Sequence, residues 1–495
     1  MIRIVDSKQV GRILARKAAR FSEAEAVVRP ILEAVRRRGD RALVEYARQF
    51  DGLARKSVAV PRAELDDAAR LLSPAFRAAV RTASRNIRAF AKLQLPPSRS
   101  LALAPGLRLG QVVRPLDTVA AYIPAGRYPL PSTLMMTVIP AQVAGVPQIC
   151  VATPRAVDEI FGTAALLKVS RVFQMGGAHA IAAFAYGTRT VPRADRIVGP
   201  GNIYVAAAKK LLAGEVGIDF VAGPTEILIL AEDGDPRWIA ADMLAQAEHD
   251  VEASAILLTS SRRLASAVAT QIEKQLATLP TAPVARQAIH RNSAIILVDS
   301  MEQAVELSNR FAPEHLSVPN VKLLSRIRHA GSVFVGPSSP EAAGDYASGT
   351  NHVLPTSGAA RLRGGLSTAD YVKLISVQQL SPAALKRLAP AITTLARAEG
   401  LEAHARSVEV RIPPGDTEAP NRHRGHGSLS RSEAANQHRG HGSLSRSEAA
   451  NQHRGHGSLS RSEAASQHRG HGSLSRSEAE WTEYRVPSPP EVPLA

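Results

Sequence analysis

Thr118-Val-Ala-Ala-Tyr122-Ile123 is a short apolar run, and it opens a series of such runs: Gln148–Ala152, Arg171–Gln174, Arg196–Val198, then Ile227–Leu230, Ala255–Thr259 and Ala294–Val298. Stretches with helical spacing separate them. Strands that are apolar on both faces and alternate with helices predict an α/β fold, with parallel sheets covered by helices on both sides. In such folds nucleotides sit at the carboxyl ends of the strands. Upstream, Ala24–Phe50 and Ala63–Leu93 carry helical periodicity and few strand-like runs, so the first hundred or so residues are expected to be helical. The most apolar window, Thr133–Ala152, is interrupted by Pro140, Gln142, Pro147 and Gln148. It predicts a helix, a loop and a buried strand instead of a membrane span.

A chain of 495 residues with 45% apolar content calls for two or more domains. Its net charge of +17 invites a nucleic-acid reading, but the basic residues are spread along the chain and only 4% of residues are aromatic, which leaves little for base stacking. A basic surface equally suits an anionic dinucleotide, and no nucleic acid or membrane is expected as a partner. The single cysteine, Cys150, excludes an intramolecular disulfide, and Met1-Ile-Arg-Ile-Val-Asp-Ser-Lys8 lacks the apolar core of a signal peptide, so a cytoplasmic location is expected. Past Pro414 the character changes. Residues 421–480 are four near-identical 15-residue copies with one Leu each, too few apolar groups for a core, and a disordered tail is expected over 416–495.

Several motifs carry chemistry. In Gln246-Ala-Glu-His249 an amide oxygen and an imidazole stand three residues apart in a helical pattern, hence on one face. Glu314-His315 follows Pro313, which disfavours helix at Ala312 and places the pair in a turn or extended segment, where a proton acceptor and a water-activating carboxylate can converge. Gly344-Asp345 leads to His352, and Glu399 precedes His404. Taken as one ligand set, Gln246, His249, Asp345 and His404 offer two imidazoles, a carboxylate and an amide, which suits Zn²⁺ and disfavours Ca²⁺ and Mg²⁺. The turns Gly176-Gly177 and Gly199-Pro-Gly201-Asn202 can bring backbone amides to phosphates. Singly, each of these features is equally a polar surface or an ordinary helix start.

Together, Val198-Gly-Pro-Gly-Asn202, Phe220-Val-Ala-Gly-Pro-Thr225-Glu, Gln246-Ala-Glu-His249, Ala312-Pro-Glu314-His315-Leu and Gly344–His352 resemble the histidinol dehydrogenase family, in its order, over roughly residues 1–413. The resemblance implies a zinc-dependent, NAD⁺-linked four-electron oxidation of L-histidinol to L-histidine through a bound aldehyde. It implies zinc on Gln246, His249, Asp345 and His404, His315 as base, and Glu314 as activator of water. Substrate contacts carry over to Thr225, His352 and Glu399 besides the ligands and His315, and dinucleotide contacts to Tyr122, His179 and Asn202. At residue 179 the family usually has Gln. Cys150 lies in an apolar run, so an activated water is expected in place of a thiohemiacetal.

The implied fold has two incomplete Rossmann-like domains, one inserted in the other: 18–121 with 228–365, and 122–227. Small helical segments at 1–17 and 366–415 complete it, the latter an arm of a homodimer that supplies His404 across the interface. Two other readings fit parts of the chain: a related enzyme acting on another amino or sulfonated alcohol, and a basic scaffold with a disordered tail.

Overall fold

Along strand Thr118–Tyr122 the side chains alternate between two cores, Val119 and Ala121 on one face and Ala120 and Tyr122 on the other. The neighbouring strand repeats the pattern, with Ile149 and Val151 opposed to Cys150 and Ala152. A period of two with both faces apolar demands cover on both sides, and helices provide it. The computed structural model describes residues 2–9, 11, 21–125 and 128–413. The repeat tail lies outside the described residues, as do residues 1, 10 and 12–17 of segment 1–17.

Five strands form one parallel sheet in the order Arg171–Gln174, Gln148–Thr153, Thr118–Tyr122, Arg196–Val198, Gly217–Ile218. Counted along the chain this is 3-2-1-4-5, a Rossmann-like winding that reverses direction between Thr118–Tyr122 and Arg196–Val198. The six-stranded parallel sheet runs Arg3–Asp6, Ala294–Leu297, Ser254–Thr259, Glu226–Leu230, His315–Val318, Ser332–Val335. Its last five strands repeat the same winding, and Ile227 and Ile229 face one core while Leu228 and Leu230 face the other. The apolar window resolves into helix Pro131–Ala144, a left-handed Gly145 cap and strand Gln148–Thr153. Among the described residues no helix is long and apolar enough to cross a membrane.

The chain divides into two compact units. The first, Met1–Arg99 with Gln111–Ser376, contains both parallel sheets; the second comprises Ser100–Gly110 and the described residues from Val377, including helices Pro382–Ala398 and Glu402–Glu409. A three-stranded sheet is ordered Val372–Leu380, Leu107–Pro115, Arg99–Ala104.

Three details differ from the sequence expectation. Arg3–Asp6, expected in a helical segment, is an edge strand, because Ile2 is buried and the strand gains a ladder against Ala294–Leu297. The segment 366–415 is not helical throughout, since the β-favouring run Val372–Leu380 forms a strand before the helices begin. The division at residue 121 meets the end of a central strand. Helices Phe21–Arg38, Asp40–Asp51, Arg62–Leu71 and Pro74–Gln94 pack against helices of the five-stranded sheet, so Val28, Leu32 and Leu43 share a core with Phe184 and Val205.

One packing detail reaches the site. Pro140, inside helix Pro131–Ala144, has no N–H to give the Met136 carbonyl one turn earlier. That oxygen instead accepts from Asn351 Nδ2 at 2.8 Å and fixes the loop carrying His352.

Candidate active site

Helix Met301–Phe311 ends at Ala312, which adopts the left-handed conformation (φ 51°) rarely taken by a residue with a Cβ. Pro313 follows and bars helical conformation at Ala312, so the chain turns sharply and delivers Glu314 and His315 to the start of strand His315–Val318. Both are buried. His315 Nδ1 lies 3.2 Å from the Glu226 carbonyl oxygen, 3.3 Å from Glu341 Oε1 and 3.6 Å from Glu314 Oε2. Its Nε2 has no hydrogen-bond partner and lies 3.8 Å from Asp345 Oδ1. Glu314 Oε2 accepts from the Thr225 hydroxyl at 2.6 Å and the Glu226 N–H at 2.8 Å.

The Gln246 amide is oriented by its neighbours, with Oε1 accepting from the Glu226 N–H at 3.0 Å and Nε2 donating to Glu341. Thr225 Oγ1 therefore sits between Gln246 and Glu314. His249 departs from the expected geometry: helix Pro236–Ala247 stops before it, and it stands exposed in a bend. The turn begins because the Asp250 carboxylate accepts from the Glu252 N–H at 2.9 Å and leads the chain into strand Ser254–Thr259. Burial above all disfavours a charge on His352, and the neighbouring imidazoles His315 and His249 act in the same direction.

Asp345 and Glu341 share one face of the short helix Glu341–Tyr346. Gly344 lets that helix approach Phe334, because a Cβ there would stand 2.6 Å from the ring. His352 Nδ1 lies 2.9 Å from the Asp345 carbonyl oxygen and its Nε2 3.1 Å from Thr133 Oγ1. Glu399 and His404 belong to the second unit, where both are exposed, the former capping helix Pro382–Ala398 and the latter in the first turn of Glu402–Glu409.

Electrostatically the cluster is starved of positive charge. Burial opposes a charged imidazole, but Glu341, Glu314 and Asp345 outweigh it and raise His315 to about 10. Glu341 is also raised, by burial first and by the neighbouring carboxylates, against the pull of His315. Among the described residues no Lys or Arg forms an ion pair with these three carboxylates; their only ion-pair partners are His315 and His352.

The cluster gathers at the amino ends of strands Glu226–Leu230 and His315–Val318. The remaining candidates lie at the carboxyl edge of the five-stranded sheet, and Thr133, in the first turn of the helix leaving that edge, joins the two regions through His352. Tyr122 ends the central strand, and its hydroxyl accepts from the Gly177 N–H at 3.2 Å, while burial pushes the phenol up to about 12. His179 is buried one turn into the same region, 2.7 Å from Asp51 Oδ2. Asn202 caps helix Ile203–Leu212, its Oδ1 accepting from the Tyr204 and Val205 N–H groups at 3.1 Å each.

Gly199, at φ 106°, has its place because a Cβ would collide with the Tyr122 carbonyl oxygen. Its N–H donates to Asp219 Oδ2 at 2.8 Å and its carbonyl accepts from Lys209 Nζ at 3.0 Å, and Lys209 also pairs with Asp219 Oδ1. The two side chains are 3% and 0% exposed, so removing one partner strands a charge out of water. Lys209→Met is expected to cost about 3–5 kcal/mol, read as a fall in the thermal midpoint, whereas a loss under about 1 kcal/mol would mean that water reaches Asp219.

With this geometry in place, comparison with known proteins is decisive. The family model for histidinol dehydrogenase matches residues 14–412. The chain belongs to the histidinol dehydrogenase family. It is 43% identical over 416 residues to histidinol dehydrogenase of Methanothermobacter thermautotrophicus, covering 82% of this chain and 98% of that one. With the Rhizobium meliloti histidinol dehydrogenase it shares 45% over 404 residues, 80% and 93% of the two chains. The crystal structure of histidinol dehydrogenase from Elizabethkingia anophelis superposes with a TM-score of 0.79 at 35% identity, over 83% and 98%.

Within a histidinol dehydrogenase chain the donor set fits a divalent cation. Ligand atoms of His315, Glu341 and Asp345 all lie within 4.8 Å of one another, one buried imidazole nitrogen has no hydrogen-bond partner, and among the described residues no Lys or Arg pairs with the acids. Only Asp345 of this trio was expected as a ligand. Glu341 escaped the sequence reading, although its i, i+4 spacing to Asp345 on one helix face was a usable signal. Thr133 and Asp51 carried no such mark.

Proposed function

We propose that this protein oxidises L-histidinol to L-histidine through a bound aldehyde, in the cytoplasm, with zinc and two NAD⁺, as a homodimer with shared sites. The observation that carries the reading is His315, buried among three carboxylates, with Nδ1 anchored and Nε2 free of protein partners. When bound, zinc supplies a Lewis-acid anchor for the substrate's imidazole and amine, and Gln246, His249, Asp345 and His404 given across the dimer would hold it.

The carbinol proton goes to His315 Nε2; when bound, NAD⁺ supplies the hydride acceptor, and Tyr122, His179 and Asn202 would hold it. Glu314, fixed through Oε2 by Thr225 and the Glu226 N–H, keeps Oε1 for the water that adds to the aldehyde, which supplies the second oxygen of the acid. Loss of a second hydride from the hydrated aldehyde, for which the second NAD⁺ would be the acceptor, leaves the carboxylate. Cys150 takes no part, since it is buried in a strand and burial pushes its thiol up to about 12. His352, between Thr133 and Asp345, and Glu399 complete the substrate contacts. The five-stranded sheet is then the dinucleotide half, inserted in the sequence of a half that begins with Arg3–Asp6, a grouping supported by the pairing of that strand with Ala294–Leu297.

The deciding experiment scores NADH formed per L-histidinol consumed by the purified protein. The expected ratio is two; no turnover by a zinc-loaded dimer would shift the reading to another amino alcohol. Removing residues 416–495 is expected to leave kcat and KM unchanged, measured in the same assay.

A further inference from the structure

We infer that Asp51 and His179 form a positioning pair that holds the glycine turn Gly176-Gly177 in the shape the dinucleotide needs, and that the imidazole of His179 serves by holding Asp51, not as a contact to the dinucleotide. The inference rests on placing NAD⁺ at the carboxyl edge of the five-stranded sheet. Asp51 ends helix Asp40–Asp51, where left-handed Gly52 turns the chain away. Its Oδ2 receives two hydrogen bonds, from the Gly176 N–H at 2.8 Å and from His179 Nε2 at 2.7 Å. The side chains of His179 and Asp51 are 2% and 5% exposed, so the hydrogen bond between them is screened from water.

The imidazole is walled in from its other side. Tyr46 and Phe50, one helical turn apart and stacked on each other, place their ring centroids 5.9 and 6.1 Å from that of His179. Gly176 has no room for a side chain, since a Cβ would meet Pro154 Cβ at 2.6 Å and Asp51 Oδ1 at 2.9 Å. The turn is therefore gripped at both N–H groups: Gly176 by Asp51, and Gly177 by the Tyr122 hydroxyl at 3.2 Å. Helix Gly177–Tyr186 starts from this turn, and the backbone N–H groups of Ala178 and His179 in its first turn take no partner among the described residues. They are the donors a phosphate would use, and the direction in which they point is set by the grip on the two glycines.

Steady-state kinetics on the zinc-loaded full-length enzyme test this with Asp51→Ala, His179→Ala, the double variant, His179→Gln and Asn202→Ala. Asp51→Ala and His179→Ala are each expected to raise KM for NAD⁺ about ten-fold, with KM for histidinol moving less than about two-fold, because a buried charge-assisted hydrogen bond is lost at the dinucleotide end only. The double variant is expected to be no worse than either single one, since both break the same link. His179→Gln keeps an N–H donor for Asp51 and is expected to recover most of the loss, which also covers the case in which Asp51→Ala does not fold. If Asn202→Ala raises KM for NAD⁺ while Asp51→Ala does not, or if the two losses add, the positioning pair is refuted. If Asn202→Ala and Asp51→Ala are both silent, the dinucleotide lies elsewhere and the inference falls with that placement.

Discussion

His315→Asn is expected to lower kcat about 10³-fold, the upper-middle of what a positioned general base contributes. Asparagine can still donate to the Glu226 carbonyl, so the strand start at His315 keeps an anchor and the fold is expected to survive. What disappears is His315 Nε2, a buried nitrogen without a hydrogen-bond partner and the atom placed to take the carbinol proton. The substrate's other contacts are untouched, so KM for histidinol is expected to move far less than kcat, the pattern of an interaction made in the transition state. Steady-state rates, read beside a thermal melt that confirms folding, check this; a kcat within tenfold of the parent would remove His315 from the chemistry.

Chelation is expected to abolish turnover by at least about 10³-fold, because a Lewis acid contributes several kcal/mol to such a step and each 1.4 kcal/mol is tenfold. A second effect works in the same direction. Without a cation, Glu341, Glu314 and Asp345 direct their whole field at the imidazole and hold it protonated up to about pH 10, so the base is occupied at neutral pH. Adding zinc back to the chelated protein is expected to restore the rate, whereas Asp345→Ala is expected to bind substoichiometric zinc and not to recover. Full activity in metal-free enzyme, verified by metal analysis, would exclude the zinc reading.

Much of the fold was legible because its strands are short apolar runs flanked by polar or helix-favouring segments. Thr118–Tyr122, Gln148–Thr153 and Ser254–Thr259 need burial on both faces, and no other local structure offers it. Glu314 and His315 were legible through Pro313, whose effect on Ala312 is local and steric. The pairing of Gln246 with His249 on one helix face was only half right. Nothing in the helical spacing announced that the Asp250 turn would end the helix before His249. Asp51 and His179 stand 128 residues apart, and their meeting depends on how helix Asp40–Asp51 packs beside helix Gly177–Tyr186, which no spacing rule encodes. Glu399 and His404 fall in the second unit, and their use in the site belongs to the dimer reading.

The edge strand Arg3–Asp6 pairs with Ala294–Leu297, the largest sequence separation of any strand pair in the two parallel sheets. On the ribosome Arg3–Asp6 must therefore wait for its neighbour. At about 5–20 residues per second that wait lasts roughly 15–60 s, long enough for Thr118–Ile218 to finish its own sheet first. During it, Arg3 and Asp6 bracket the two apolar residues with opposite charges, a pattern that discourages a waiting strand from pairing with another nascent chain. Assembly is thus ordered from the middle outward, with Arg3–Asp6 added to the six-stranded sheet only after residue 297 has been made.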